Sequence, residues 1–149
     1  MADSGARFPL FVDVAGKRAV IVGGGRVAVR RAAVLRRFGM EVTVISPALR
    51  EQIEGIVHLA RPYAPGDLAG AALAVAASDD RAVNAAVGAE ARTRHIPVSV
   101  ADCPEECTFF FPAVCEGGEL IAGLISRNGD HRAVAAAAKA VRKTLEGWK

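Results

Sequence analysis

The stretch Gly23-Gly24-Gly25-Arg26-Val27-Ala28 carries the densest chemical signal in the chain. It fits the pattern G-x-G-x-x-A directly after an apolar run, Ala19-Val20-Ile21-Val22, and at the opening of a helical periodicity. In that context each residue has a reason: Gly23 permits the tight turn, Gly25 lets the backbone approach a pyrophosphate, and Ala28 allows a helix to pack closely on a strand. The free N–H groups and dipole of the helix start attract the anion. A plain strand-to-helix turn is the competing explanation, but three consecutive glycines carry an entropic cost and their placement suits the cofactor. Gly23, Gly24, Gly25, Arg26 and Val27 are therefore expected to line a dinucleotide. An acidic residue for the adenosine hydroxyls of NAD is expected about 20 positions on, yet Ser46 and Pro47 stand there. Ser46 can still hydrogen-bond a hydroxyl. Arg50 keeps NADP open as an alternative, although a solvated helix arginine is the plainer reading.

The elements that must hold this turn follow from hydrophobic period. Residues 19–22 are β-branched and apolar, as in a fully buried parallel strand. From Arg26 to Phe38, Val27, Val34, Leu35 and Phe38 recur at helical spacing, and Gly39 supplies the stop. Residues 42–45 make a second strand ended by Ser46-Pro47. Residues 55–60, 73–77 and 97–100 give three more, with a helix over 80–94. Strands alternating with helices indicate an α/β, Rossmann-like, doubly wound parallel sheet. Beyond Phe109-Phe110-Phe111-Pro112 the pattern changes to strands at 113–116 and 119–125, joined by Glu116-Gly117-Gly118-Glu119, then a helix over 130–146 capped by Asp130 or Asn128. We divide the chain into a dinucleotide-binding domain, 1–112, and a short C-terminal α+β extension, 113–149. The Phe run, the hairpin and the alanine-rich helix offer more apolar surface than one modest domain covers, so a homodimer is expected.

At 149 residues and 52% hydrophobic, the chain can bury one respectable core. No apolar run reaches the ~20 residues of a membrane span, and the opening MADSGARFPL lacks the pattern of a signal peptide, so a soluble, cytoplasmic protein is expected. A net charge of +3 suits an anionic ligand, while an aromatic content of 5% gives a base-stacking platform little material. We expect no nucleic-acid partner. Cys103, Cys107 and Cys115 lack the paired spacing of a zinc site and read as free thiols, with Cys115 in a core; no metal is expected.

Beyond the glycine turn, the chain resembles the precorrin-2 dehydrogenase family, the siroheme synthase N-terminal domain, along nearly its whole length. The matching stretches are FPLFVDVAGKRAVIVGGGRVAVRRAAVLRRFGMEVTVISP, AASDDRAVNAAV and IPVSVADCPEECTFFFPAV, in that order. The resemblance implies NAD-dependent oxidation of precorrin-2 to sirohydrochlorin; some relatives also insert iron. The substrate is a tetrapyrrole carrying many carboxylates. Asp102 matches the family's active-site aspartate after the fifth strand, where a carboxylate can accept a proton; its competing role is to cap a turn. Ser78 and Asp79 match the family's Thr-Asp beside the nicotinamide path, with helix capping as a second role for the Ser78-Asp79-Asp80 stretch. Arg30 and Arg31 match its basic pair, which implies substrate contact against the plain alternative of solvated helix charges. Ser126 fits the family's substrate loop, although Arg127, His131 and Arg132 depart from it, as Ser99 and Cys103 do around Asp102. A non-catalytic module that binds nucleotide or tetrapyrrole and acts with a partner protein is the second reading.

Overall fold

In the computed structural model, which describes residues 6–148, the run before the glycines forms β1, Arg18–Val22. It pairs in parallel with β2, Glu41–Ile45, on one side and with β4, Leu73–Ala76, on the other. β3, Val57–Leu59, and β5, Val98–Val100, complete a five-stranded parallel sheet of order β3-β2-β1-β4-β5. The order reverses between β1 and β4, and ligands of such sheets bind outside the carboxyl ends of the strands at that switch point. The glycine turn leaves β1 there.

Two helices flank this sheet: α1, Arg26–Arg37, and α2, Arg81–Thr93. Val20, Val22, Ala74, Ala76, Val98 and Val100 pack in one cluster with Val87 and Ala91 of α2. Strand alternation sends Ala19, Ile21 and Ser99 to the other face, where Arg31 of α1 reaches Ser99. α1 stops as the sequence predicts: Gly39 adopts φ +85°, its N–H donates to Arg36 O at 2.9 Å and Met40 N–H to Leu35 O at 3.2 Å, a Schellman ending. Its buried stripe is only partly the expected one, with Leu35 and Ala28 as read. Ala28, Val29, Ala32 and Leu35 are buried, whereas Val27, Val34 and Phe38 are half-exposed. Small residues at the contact let the helix approach the sheet beside the glycines.

The alternation of strands and helices is also incomplete. No helix joins β2 to β3 or β3 to β4 among the described residues. Pro62, Pro65, Gly66 and Gly70 break any helix between residues 60 and 72. Side chains close this loop instead: Asp67 takes the Ala64 N–H at 2.8 Å and both arms of Arg61, while Glu90 of α2 takes the Gly66 N–H at 2.8 Å and the Tyr63 hydroxyl.

The chain divides into two compact units, residues 13–110 and residues 6–12 with 111–148. The expected limits at residues 1 and 149 lie outside the described residues. In the second unit β6, Ala113–Gly117, and β7, Leu120–Leu124, form an antiparallel hairpin. Its two-residue turn, Gly118-Glu119, has Gly118 at φ +58°, the first-position requirement of a type II′ turn. α3, His131–Glu146, is capped by Asp130, whose side chain accepts from Ala133 N–H at 3.0 Å. It lies directly on the hairpin, since a Cβ on Gly117 would fall 2.5 Å from Leu145 Cβ. Of its alanines only Ala138 is buried, joining Cys115 and Leu145. Among the described residues, no helix is long and apolar enough to cross a membrane.

Candidate functional site

The three glycines have three different reasons to be glycine. Gly23 adopts φ +124°, and a Cβ there would lie 2.3 Å from Ala77 O. On Gly24 a Cβ would lie 1.8 Å from Ala48 O and 2.6 Å from Ser46 Oγ. Both are demanded by the protein's own backbone. Gly25 is not: its φ is −83° and a Cβ would meet nothing within 4 Å. No clash within the chain makes a side chain costly at Gly25, and a glycine at this place in the pattern lets a backbone approach a pyrophosphate. Gly25 is also the N-cap of α1 and offers no side-chain cap, whereas Asp80 and Asp130 cap α2 and α3. A side-chain cap contributes about 1 kcal/mol, and full burial of one Val or Ile about 1.5–3 kcal/mol. With Val20, Ile21 and Val22 all buried, β1 can carry an uncapped helix that leaves its first N–H groups to a ligand. Arg26 is exposed and Val27 half-exposed at the same mouth.

At the end of β2, Ser46 is buried beneath Gly24 and donates its hydroxyl to Ala48 O at 2.8 Å. His58, for which the sequence suggested no role, brings Nε2 to 2.9 Å from Ser46 O and 3.2 Å from its Oγ. Ser46 thus shapes the loop that the glycines pass over, and Pro47 is exposed beside it. Arg50 is not a helix residue. It lies in the loop, exposed, with its backbone N–H donating to Gly24 O at 2.7 Å.

Ser78 and Asp79 follow β4 and border the turn, since the Gly23 Cβ would also come within 2.8 Å of Ser78 N. Asn84, which the sequence reading did not single out, fixes this segment. It is fully buried, accepts the Ser78 N–H at 3.0 Å and donates to Ser78 O at 2.9 Å. A lone amide among Ala82, Val83, Ala85, Ala86 and Val87 was the available signal, because a buried polar side chain needs partners. The capping role belongs to Asp80, which accepts from Ala82 N–H at 2.9 Å; Ser78 Oγ in turn accepts from Asp80 N–H at 3.0 Å. Asp79 is exposed.

Arg30 and Arg31 part company. Arg30 is exposed, but Arg31 is half-buried and donates from Nη1 to the buried Ser99 Oγ at 3.2 Å. Burial first, and the like charge of Arg30 second, hold the Arg31 guanidinium below its usual pKa. Asp102 stands in the turn after β5, with Oδ1 bound at 2.6 Å by Arg81 Nη1. With β4 between them, the ends of β1 and β5 are about 10 Å apart at ordinary strand spacing. Ser126 belongs to the second unit, where its Oγ donates to Asn128 Oδ1 at 2.5 Å and accepts from Asp130 N–H at 3.0 Å ahead of α3. Among the described residues, no three His, Cys, Asp or Glu side chains gather where they could hold a metal ion.

Known proteins are similar to this chain in sequence and in fold. A siroheme synthase of Methylobacillus flagellatus is 41% identical over 124 residues, covering 79% of this chain and 27% of that protein. The siroheme synthase of Azotobacter vinelandii is 39% identical over 146 residues, 94% of this chain and 31% of that protein. The chain thus spans under a third of the length of these relatives. A solved structure, "SirC, precorrin-2 dehydrogenase", has a TM-score of 0.78 at 20% identity, covering 94% of this chain and 72% of that one, and so shares its fold. Residues 10–113, which contain the glycine turn and the ends of β2, β4 and β5, match the family described as "Putative NAD(P)-binding", and the chain belongs to that family.

Proposed function

We propose that this chain oxidises precorrin-2 to sirohydrochlorin with NAD, within siroheme biosynthesis. The observation that carries the cofactor half is Gly25, a glycine without an internal reason at the uncapped start of α1. Gly23, Gly24, Gly25, Arg26 and Val27 hold the pyrophosphate, Ser46 and Pro47 border the adenosine ribose, and Ser78 and Asp79 border the nicotinamide. Bound there, NAD supplies the hydride acceptor. Removing a hydride from the macrocycle leaves a proton to be taken up, and Asp102 is the carboxylate at the neighbouring strand end that accepts it. Arg31 is the stronger candidate of the basic pair for a substrate carboxylate, because a partly desolvated guanidinium gains most from an anionic partner; Arg30 supports it from the exposed side. Ser126, taken by itself in the other unit, is a further candidate for a hydrogen bond to substrate.

We further propose that the protein works as a cytoplasmic homodimer through the unit of residues 6–12 and 111–148. Phe8 is 86% exposed and Phe11 72%, while Leu120, Ile121 and Trp148 are exposed in the same unit. Such surface marks an interface.

One observation favours the second reading, a binding module without turnover: the proposed base already has Oδ1 engaged by Arg81. The two readings separate in one assay. Supplied with enzymatically made precorrin-2 and NAD, the chain is expected to form sirohydrochlorin faster than the spontaneous oxidation does, and Asp102→Ala is expected to lose that acceleration. No acceleration by wild type removes the dehydrogenase reading and leaves the binding module. An arm with ferrous iron tests iron insertion.

A further inference from the structure

Arg81 breaks a local rule. It is the first residue of α2, where the helix dipole is positive and a cation is disfavoured; beyond the N-cap Asp80, whose carboxylate is taken up by the Ala82 and Val83 N–H groups, the first turn of α2 holds no acidic residue. What holds its charge lies across the turn after β5. Nη1 donates to Asp102 Oδ1 at 2.6 Å and Nη2 donates to Glu106 Oε2. The Arg81 and Asp102 side chains are 46% and 38% exposed, a setting in which ion pairs add little stability. Stability therefore explains the placement poorly.

Geometry explains it better. A guanidinium is planar, and two nitrogens bound to two different carboxylates fix the plane and with it the direction of each partner. One of those partners, Glu106, has a further anchor: Arg92 Nη1 donates to Glu106 O at 3.0 Å. α2 is also packed tightly here, since a Cβ on Gly88 would lie 3.0 Å from Arg92 Nη1, 3.3 Å from Val100 Cγ2 and 3.7 Å from Glu106 Oε2. The segment after β5 thus keeps anchors that do not depend on Arg81, and loss of Arg81 frees a carboxylate rather than a fold.

We propose that Arg81 is a positioning residue, which holds the Asp102 carboxylate in a fixed direction at the end of β5 by bridging it to Glu106. The inference rests on the reading of Asp102 as the group that accepts the proton. Arg81 acts through Asp102 and needs no contact of its own with substrate or cofactor.

The test uses the full chain in four forms, wild type, Arg81→Gln, Asp102→Asn and the double variant, with Arg81→Lys as the conservative rescue. Misplacing a reacting group by about 1 Å costs up to about a hundredfold in rate, so Arg81→Gln is expected to lower kcat by about tenfold to a hundredfold with KM for NAD nearly unchanged. Arg81→Lys should recover part of the loss, and Arg81→Gln should cost nothing further in the Asp102→Asn background. Independently of turnover, the Asp102 side-chain carboxyl carbon resonance, assigned by its absence in Asp102→Asn, should move at neutral pH in Arg81→Gln without bound NAD. Active wild type with an equally active Arg81→Gln overturns this inference alone, as does an unmoved resonance or a full additive loss in the double variant. Inactive wild type, or a fully active Asp102→Asn, overturns the underlying reading and the role of Arg81 with it.

Discussion

In the unit of residues 13–110, Val20, Ile21, Val22, Val44, Ile45, Leu68, Val75, Val87 and Val98 are all withdrawn from solvent. In the unit of residues 6–12 and 111–148, the buried residues are Cys115, Ala138 and Leu145, while Phe8, Leu10, Phe11, Ile121 and Trp148 face solvent. A parallel sheet pairing three of its five strands on both sides, with helices over both faces, needs nothing more to be stable. A two-stranded hairpin alone is marginal and depends on the single helix packed over it. The difference is one of coverage: the first unit keeps its large apolar side chains inside, and the second leaves several of them exposed. A second copy of the chain is the cover we propose.

The sharpest break of this comparison lies within the first unit. Gly24→Ala drives a Cβ into the Ala48 carbonyl and is expected to cost about 3 kcal/mol or more, read as a large fall in Tm. Gly25→Ala should cost no more than about 1 kcal/mol, the preference of an N-cap for glycine over alanine, and weaken NAD binding instead. Equal stability losses at the two positions would mean that Gly25 is structural after all. Next in size, Asn84→Ala strips both backbone groups of Ser78 of their partner and should cost about 2–3 kcal/mol by chemical denaturation. An unchanged midpoint would remove Asn84 from the account.

For the second unit, Phe11→Ser with Ile121→Lys is expected to turn a dimer into a monomer in light scattering, with the stability of a largely exposed site altered by no more than about 0.5 kcal/mol. A monodisperse wild-type monomer would refute the covered-face explanation. The smallest effect concerns pH. Burial pushes the Glu90 carboxyl up, but hydrogen bonds from Tyr63, Arg94 and the Gly66 and Leu68 backbone together outweigh it and leave its pKa below the usual 4.5. A carboxylate lowered on folding contributes stability above its unfolded pKa and loses it as pH falls through the folded one. Wild type should therefore exceed Glu90→Gln in stability at pH 7, with the gap closing in acid; a gap constant down to pH 2 would contradict the hydrogen-bonded carboxylate.

How much of this the sequence disclosed depends on range. The strand before Gly23, the stop at Gly39, the cap at Asp130 and the hairpin turn are local, set by period, glycine and proline, and they were legible. The buried stripe of α1 was legible in part: the glycine pattern placed Ala28 against the strand and the period gave Leu35, but Ala32 is too small to signal burial, and a close helix-to-sheet contact selects small residues. Asn84 left a signal as a lone amide in an apolar helix, but its partner Ser78, like the partners Ser46 of His58 and Asp102 of Arg81, was not legible because chain folding rather than spacing brings each pair together. Arg31 and Arg30 look alike in sequence and differ in the structure because one faces Ser99 across the sheet and the other faces water.

The claim on which everything else depends is that Gly25 is kept open for a dinucleotide. Calorimetric titration of wild type and Gly25→Asp with NAD tests it directly, with thermal unfolding as the check on folding. The account predicts that wild type binds and that Gly25→Asp, folded to the same Tm, loses the affinity, because a carboxylate in that open space repels the pyrophosphate. Equal affinity of the two proteins would contradict it.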